Sequence, residues 1–204
     1  MHTRSRVAAL TFAFLLVPTL TFAHSRSAFH DEMRRLWQDH VAYTRLFIVS
    51  AVAGLPDKDA TTQRLLQNQT DIGNAVADFY GRDAANQLTA LLKDHILIAA
   101  DIVTAAKAGD KAKVESSNRR WKQNATDIST FLHKANSKNW PLDTLQSAMD
   151  MHLKQTLDEA THQIGGDFAA SVKDYDHAMK HILAMADILS DGIIKQFPAK
   201  FDKS

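Results

Sequence analysis

The same stretch of chain is written three times. Asp39-His40 opens DHVAYTRLFIVSAVAG, Asp94-His95 opens DHILIAADIVTAAKAG, and Met151-His152 opens MHLKQTLDEATHQIGG. In each, a glycine follows the histidine by fourteen residues, at Gly54, Gly109 and Gly166, and the histidines stand 55 and 57 residues apart. The second halves correspond as well. Gln67–Val76 and Gln123–Leu132 share Gln-Asn-x-Thr-Asp-Ile, so Asn68 lies 28 residues after His40 and Asn124 lies 29 after His95; the residue 29 after His152 is His181. A repeat that holds its internal spacing to within one residue restricts the chain to an architecture of three equivalent units.

Each unit reads as helix, turn, helix. Glycine and proline are scarce, and they fall between long segments with apolar residues at three- and four-residue steps. First helices are expected near 28–54, 83–108 and 142–164, second helices near 58–79, 111–135 and 168–196. Gly54-Leu55-Pro56-Asp57, Gly109-Asp110 and Gly165-Gly166-Asp167 offer a glycine to end one helix and an aspartate to cap the next. Pro141 suits the start of a helix. The expected fold is all-α: a helical bundle of three tandem helical hairpins, about six helices, with repeats near 28–80, 83–136 and 140–197.

The beginning of the chain has the pattern of an export signal. Arg4 and Arg6 precede the apolar run Val7–Phe22, and Thr21-Phe22-Ala23 offers small residues for cleavage. Residues 1–23 are read as a signal peptide and 24–204 as a single domain with His24 at its start, which predicts a periplasmic or secreted protein with no membrane anchor after cleavage. Losing Arg4 and Arg6 turns the net charge from +1 to −1, which gives no case for nucleic acid. The chain has no cysteine, so disulfides, thiolate metal sites and c-type haem attachment are excluded.

The chemistry-bearing residues are the histidines. Met33, Trp37, His40, Thr44, Phe47 and Ala51 form one stripe; Leu88, Leu92, His95, Ala99, Ile102 and Ala106 form the second; Leu145, Met149, His152 and Thr156 form the third. Each histidine thus sits in the middle of an apolar face. Antiparallel pairing about the turns sets His95 opposite Asn124, His152 opposite His181, and His40 opposite Asn68 to Ile72, so a polar layer is expected across the core. His177 and His181, four apart, can reach one point, a common half-site for a transition metal. His40, His95, His152 and His181 are therefore the expected ligands, with His177 as an alternative and Asn68 and Asn124 behind them. Imidazole without thiolate points to copper or zinc. The alternative is a structural or protein-interaction bundle whose His/Asn layer only sets register; a further alternative is non-covalent haem. His24 and the nearby His30 are read as part of a solvated tail. No catalytic motif is recognisable: the di-iron pattern of Glu-x-x-His on two helices with further glutamates, G-x-S-x-G, H-E-x-x-H and glycine-rich phosphate loops are all missing.

At DHVAYTRLFIVSAVAGLPD, LLQNQTDIGNAVADFYG, DHILIAADIVTAAKAGD and MADILSDGIIKQF, the chain resembles an uncharacterised bacterial family of small helical-bundle proteins. Its members often carry glycosyltransferase or acetylglutamate kinase labels. The resemblance spans Leu36 to Pro198 and implies a fold of paired helices with histidines at the repeated Asp-His positions. It implies no particular activity.

Overall fold

A computed structural model describes residues 23–202. The signal peptide expected over 1–23 thus lies almost wholly outside the described residues. The elements are α1 (Arg26–Ala53), α2 (Lys58–Ala75), α3 (Ala77–Tyr80), α4 (Arg82–Lys107), α5 (Lys111–Ala135), α6 (Leu142–Gly165) and α7 (Phe168–Gln196), followed by a 3₁₀ turn over Pro198–Lys200. The protein is all-α, and the hairpins are α1–α2, α4–α5 and α6–α7. None of the described helices is long and apolar enough to cross a membrane.

The repeated glycine has a backbone reason. Gly54, Gly109 and Gly166 have φ of 70°, 73° and 79°, the left-handed conformation that closes a helix and that side chains rarely tolerate. Asp110 and Asp167 then cap α5 and α7, accepting from Lys113 N and Ala170 N at 3.0 Å each. Asp57 makes no such bond, because its backbone is already helical at φ −84° and ψ −3°. The second helix of the first hairpin also breaks at Val76, giving the short α3. Just before the break, Gly73 lets α2 lie against α4: a Cβ there would overlap the Thr89 side chain and stand 2.8 Å from Ala85 O.

The helices close a ring. α1 packs on α2, α2 on α4, α4 on α5, α5 on α6, α6 on α7, and α7 returns to α1. The first helices α1, α4 and α6 also touch one another, so they form the inside of a pseudo-threefold bundle. Each second helix bridges its own first helix and that of a neighbouring hairpin. Sequence pairing defines each hairpin but not this order, which follows from apolar stripes having to face one common axis. In α1, Met33, Leu36 and Trp37 belong to the larger apolar cluster, whereas Phe47, Ile48 and Ala51 belong to a smaller one nearer the turns. His40 lies between them.

The two ends of the described chain are tied together. His24 N donates to Lys200 O at 2.8 Å and Asp202 N donates to His24 O at 2.9 Å, a parallel bridge between His24 and Phe201. The His24 ring packs on Phe79 and Phe201, with centroids 5.3 and 5.9 Å away. His24 is thus not the solvated tail expected from its position. The aromatic cluster Phe29, Phe79, Phe197 and Phe201 gives it a surface to cover. His30 lies on α1 and faces Asp187 and Asp191 on α7, at 3.7 and 3.6 Å.

Candidate metal centre

His40, His95 and His152 meet where α1, α4 and α6 converge. The His152 ring centroid is 5.6 Å from that of His40 and 5.8 Å from that of His95. All three are buried, at 3%, 3% and 5% exposure. Loss of hydration disfavours their charged forms. Burial, reinforced by His95, pushes His40 down to about 3. Burial pushes His95 down to about 4, against the pull of Asn124. Burial also holds His152 well below the ordinary value, with His40, His95 and His181 adding to it. The three rings are neutral at physiological pH.

Each histidine-bearing helix is held by its partner at the same backbone atom. Asn68 Nδ2 donates to Leu36 O at 2.9 Å, Asn124 Nδ2 to Leu91 O at 3.0 Å, and His181 Nε2 to Ala148 O at 2.9 Å. Every acceptor is the carbonyl four residues before the repeat histidine. The histidine carbonyls also receive an extra donor, from Thr44, Trp121 and Thr156.

The ring nitrogens are treated differently in the three hairpins. Asn124 donates through Nδ2, so its Oδ1 accepts, and His95 Nδ1–H donates to it at 2.7 Å. The proton is fixed on Nδ1, and Nε2 carries a lone pair with no partner. In the first hairpin Gln69, not Asn68, reaches the ring: Gln69 Nε2–H donates to His40 Nδ1 at 3.3 Å. Gln69 Nε2 also faces Leu65 O at 2.8 Å and Asn68 Oδ1 at 3.1 Å, both closer than the ring, so its two protons are shared among three acceptors. In the third hairpin His181 is committed to Ala148 O, and His152 Nδ1 is left without a partner. Gln69 lies within the stretch expected opposite His40 but was not singled out there, although it stands 29 residues after His40, the spacing Asn124 has from His95.

A cavity of about 30 Å³ lies beside these rings, lined by Trp37, His40, His95, His152, Met149 and Met185 among others. It has room for an ion or a water or two. The Trp37 Nε1 proton is also unpartnered and buried. Thr144 and Ile188, both exposed, lie on the cavity wall and mark its solvent side.

His181 and His177 do not join the three. His181 is half-buried and not part of the cavity lining, and His177 is exposed on the outer face of α7. Four-residue spacing set them on one side of α7, but the hairpin turns that side partly away from the axis. Among the described residues, no group of three or more His, Asp or Glu side chains is placed to hold a metal ion.

A second buried polar cluster was not anticipated. Arg45 Nη1 donates to Glu159 Oε1 at 3.1 Å and to Ser171 Oγ, while Ser171 Oγ contacts Gln163 Oε1 at 3.1 Å. Burial pushes Glu159 up to about 7, against the hydrogen bond and charge of Arg45. Its visible signal was Glu159 and Gln163 continuing the stripe of His152 and Thr156. The aspartates six residues after His95, His152 and His181 serve surface ion pairs: Asp101 with Lys113 and Arg120, Asp158 with Lys154, and Asp187 with Arg34. Compared with protein-family models, with curated proteins and with solved structures, the chain matches none.

Proposed function

We propose that this chain is a non-catalytic, exported protein that binds one transition-metal ion in the cavity between His95 and His152, with His40 as the adjoining third ring. The observation that carries the reading is the pair of unpartnered, buried ring nitrogens, His95 Nε2 and His152 Nδ1, beside that cavity. Two imidazoles on one tetrahedral ion place their ring centroids about 5 Å apart, given metal–nitrogen distances near 2 Å. The 5.6 and 5.8 Å separations therefore need only a small closing movement with ring reorientation. The Asn124–His95 bond is the kind of outer contact that orients a ligating imidazole. Export rests on the pattern of residues 1–23. A haem group is a poor fit, because a cavity of about 30 Å³ is a small fraction of the several hundred Å³ such a ligand fills.

A second reading is supported by the three bonds to Leu36, Leu91 and Ala148 carbonyls: the layer sets hairpin register and binds nothing. Chelator-stripped protein, melted while copper, zinc, nickel and iron are added separately, separates the two. Saturation at a hundredfold above Kd stabilises a native site by about 2.7 kcal/mol, a rise of several degrees. The rise should vanish in His95→Ala and His152→Ala. No rise with any ion would leave the register reading.

A further inference from the structure

We infer that the ion suited to this cavity is monovalent copper, held by His95 Nε2 and His152 together with the thioether sulfur of Met149 or Met185. This rests on the metal-binding reading above and narrows it.

Charge is the first reason. The cavity lining is neutral throughout. Asp39 and Asp94 adjoin His40 and His95 in sequence but serve the surface. Asp39 accepts from Arg35 at 3.0 Å and faces Arg64 at 3.4 Å, and Asp94 lines an outer groove. Glu159 is taken by Arg45. An ion here has no anionic ligand, and the cost of taking an ion out of water grows with the square of its charge, so a dication pays about four times the penalty of a monocation.

Donor number is the second. Two of the ring nitrogens stand buried and unpartnered, His95 Nε2 and His152 Nδ1, while His40 Nδ1 is in contact with Gln69 Nε2. Zinc in a closed structural site takes four ligands. Monovalent copper, with a filled d shell, is content with two or three. Two imidazoles on opposite sides of one ion have centroids about 6 Å apart at metal–nitrogen distances near 2 Å. His95 and His152 stand at 5.8 Å.

Softness is the third. Met149 and Met185 are each 7% exposed and border the same cavity as the two rings. Thioether sulfur favours soft monovalent copper over zinc or nickel. The absence of any group of three His, Asp or Glu suited to an ion, among the described residues, counts against harder cations but not against a mixed imidazole–thioether set. The wall formed by Thr144 and Ile188 gives the ion a short route from solvent.

The test is anaerobic competition between the whole chain and a coloured bathocuproine chelator for Cu⁺, beside equilibrium dialysis with Zn²⁺, Ni²⁺ and Cu²⁺. One equivalent of Cu⁺ is expected to bind, with sulfur as well as nitrogen scattering in the X-ray absorption spectrum. Met149→Leu with Met185→Leu, a nearly volume-conserving pair, should keep the helical circular dichroism and weaken Cu⁺ binding by about tenfold or more. Asn124→Ala should weaken it by about 10–100-fold through the orientation of His95. Tight Zn²⁺ or Ni²⁺ without Cu⁺ would overturn the copper assignment while leaving the metal-binding reading. No ion bound would overturn both. Cu⁺ binding that survives His95→Ala and His152→Ala, or shows no sulfur, would overturn the site as described.

Discussion

Among the described residues, two of the buried polar regions are built on opposite principles. The histidine layer repeats: one neutral ring comes from each hairpin, and all meet at the pseudo-threefold axis. The Arg45–Glu159–Ser171 cluster does not repeat. It joins α1 of the first hairpin to α6 and α7 of the third, where the ring of helices closes, and Arg45 satisfies both of its partners. Equivalent residues meeting at an axis can face only others of their kind, which is why nitrogens remain unpartnered there. Non-equivalent residues can be matched, cation to anion. Of the two, the incomplete region is the one able to take a ligand.

The largest effect that breaks the comparison is pH. Each repeat histidine stays neutral in the fold, at about 3 for His40, about 4 for His95 and well below the ordinary value for His152. The unfolded chain takes up these protons near pH 6.5. The stability they supply is therefore intact above about 6.5 and is lost as pH falls towards 4, at about 4 kcal/mol per pH unit for three rings. Glu159 runs the other way. Its folded value is raised to about 7, so below that pH the fold binds the proton more readily than the unfolded chain. It returns about 1.4 kcal/mol per unit down to about pH 4.5. The net slope over pH 6.5–4.5 is then about 3 kcal/mol per unit, measurable as urea midpoints. His152→Leu should lower the acid slope by about 1.4 kcal/mol per unit. An unchanged slope would mean the ring is already charged in the fold.

Next in size is Arg45→Ala. It leaves Glu159, 2% exposed, with no cation, and should cost about 3–5 kcal/mol at pH 8. The loss should shrink at pH 6, where the carboxyl is protonated. Equal losses at both pH values would show that Arg45 acts by packing rather than by charge.

Most of the fold could be read in advance because its determinants are local. The fourteen-residue spacing from histidine to glycine fixes helix length and end, and four positive-φ glycines punctuate the chain. What could not be read depends on relations between hairpins. Gly192 is one example: a Cβ there would overlap the Trp140 indole, whose Nε1 donates to Ile188 O at 3.1 Å. Nothing within either segment announces that approach. Gly192→Ala should cost about 1–3 kcal/mol by overpacking. Gly165→Ala, with nothing near its Cβ, should cost no more than a few tenths. Equal melting temperatures would show that Trp140 moves aside freely. The site was legible to the same degree. Convergence of His40, His95 and His152 follows from the apolar stripes, whereas His177 and His181 fell outside because the rotation of α7 is set by its packing on α1 as well as α6.

The smallest effects compare the hairpins with one another. Asn124 does two things in the second: it accepts from His95 Nδ1 and donates to Leu91 O. In the first, the work is divided between Gln69 and Asn68. In the third, His181 only donates, and it is half-buried. Truncation should therefore cost most where one side chain satisfies two buried groups. Asn124→Ala strands His95 Nδ1–H and frees a carbonyl that keeps its helical partner, for about 1–3 kcal/mol. Asn68→Ala removes one donor and releases Gln69, for about 1–2 kcal/mol, and His181→Ala should cost about 0.5–1.5 kcal/mol, since water can reach the site. Urea unfolding of the three variants at pH 7.5, away from histidine titration, gives the order. If His181→Ala proves the most damaging, the third hairpin carries the layer, and the unpartnered His152 nitrogen reflects a ring held rigidly by its neighbours rather than one free to turn towards a ligand.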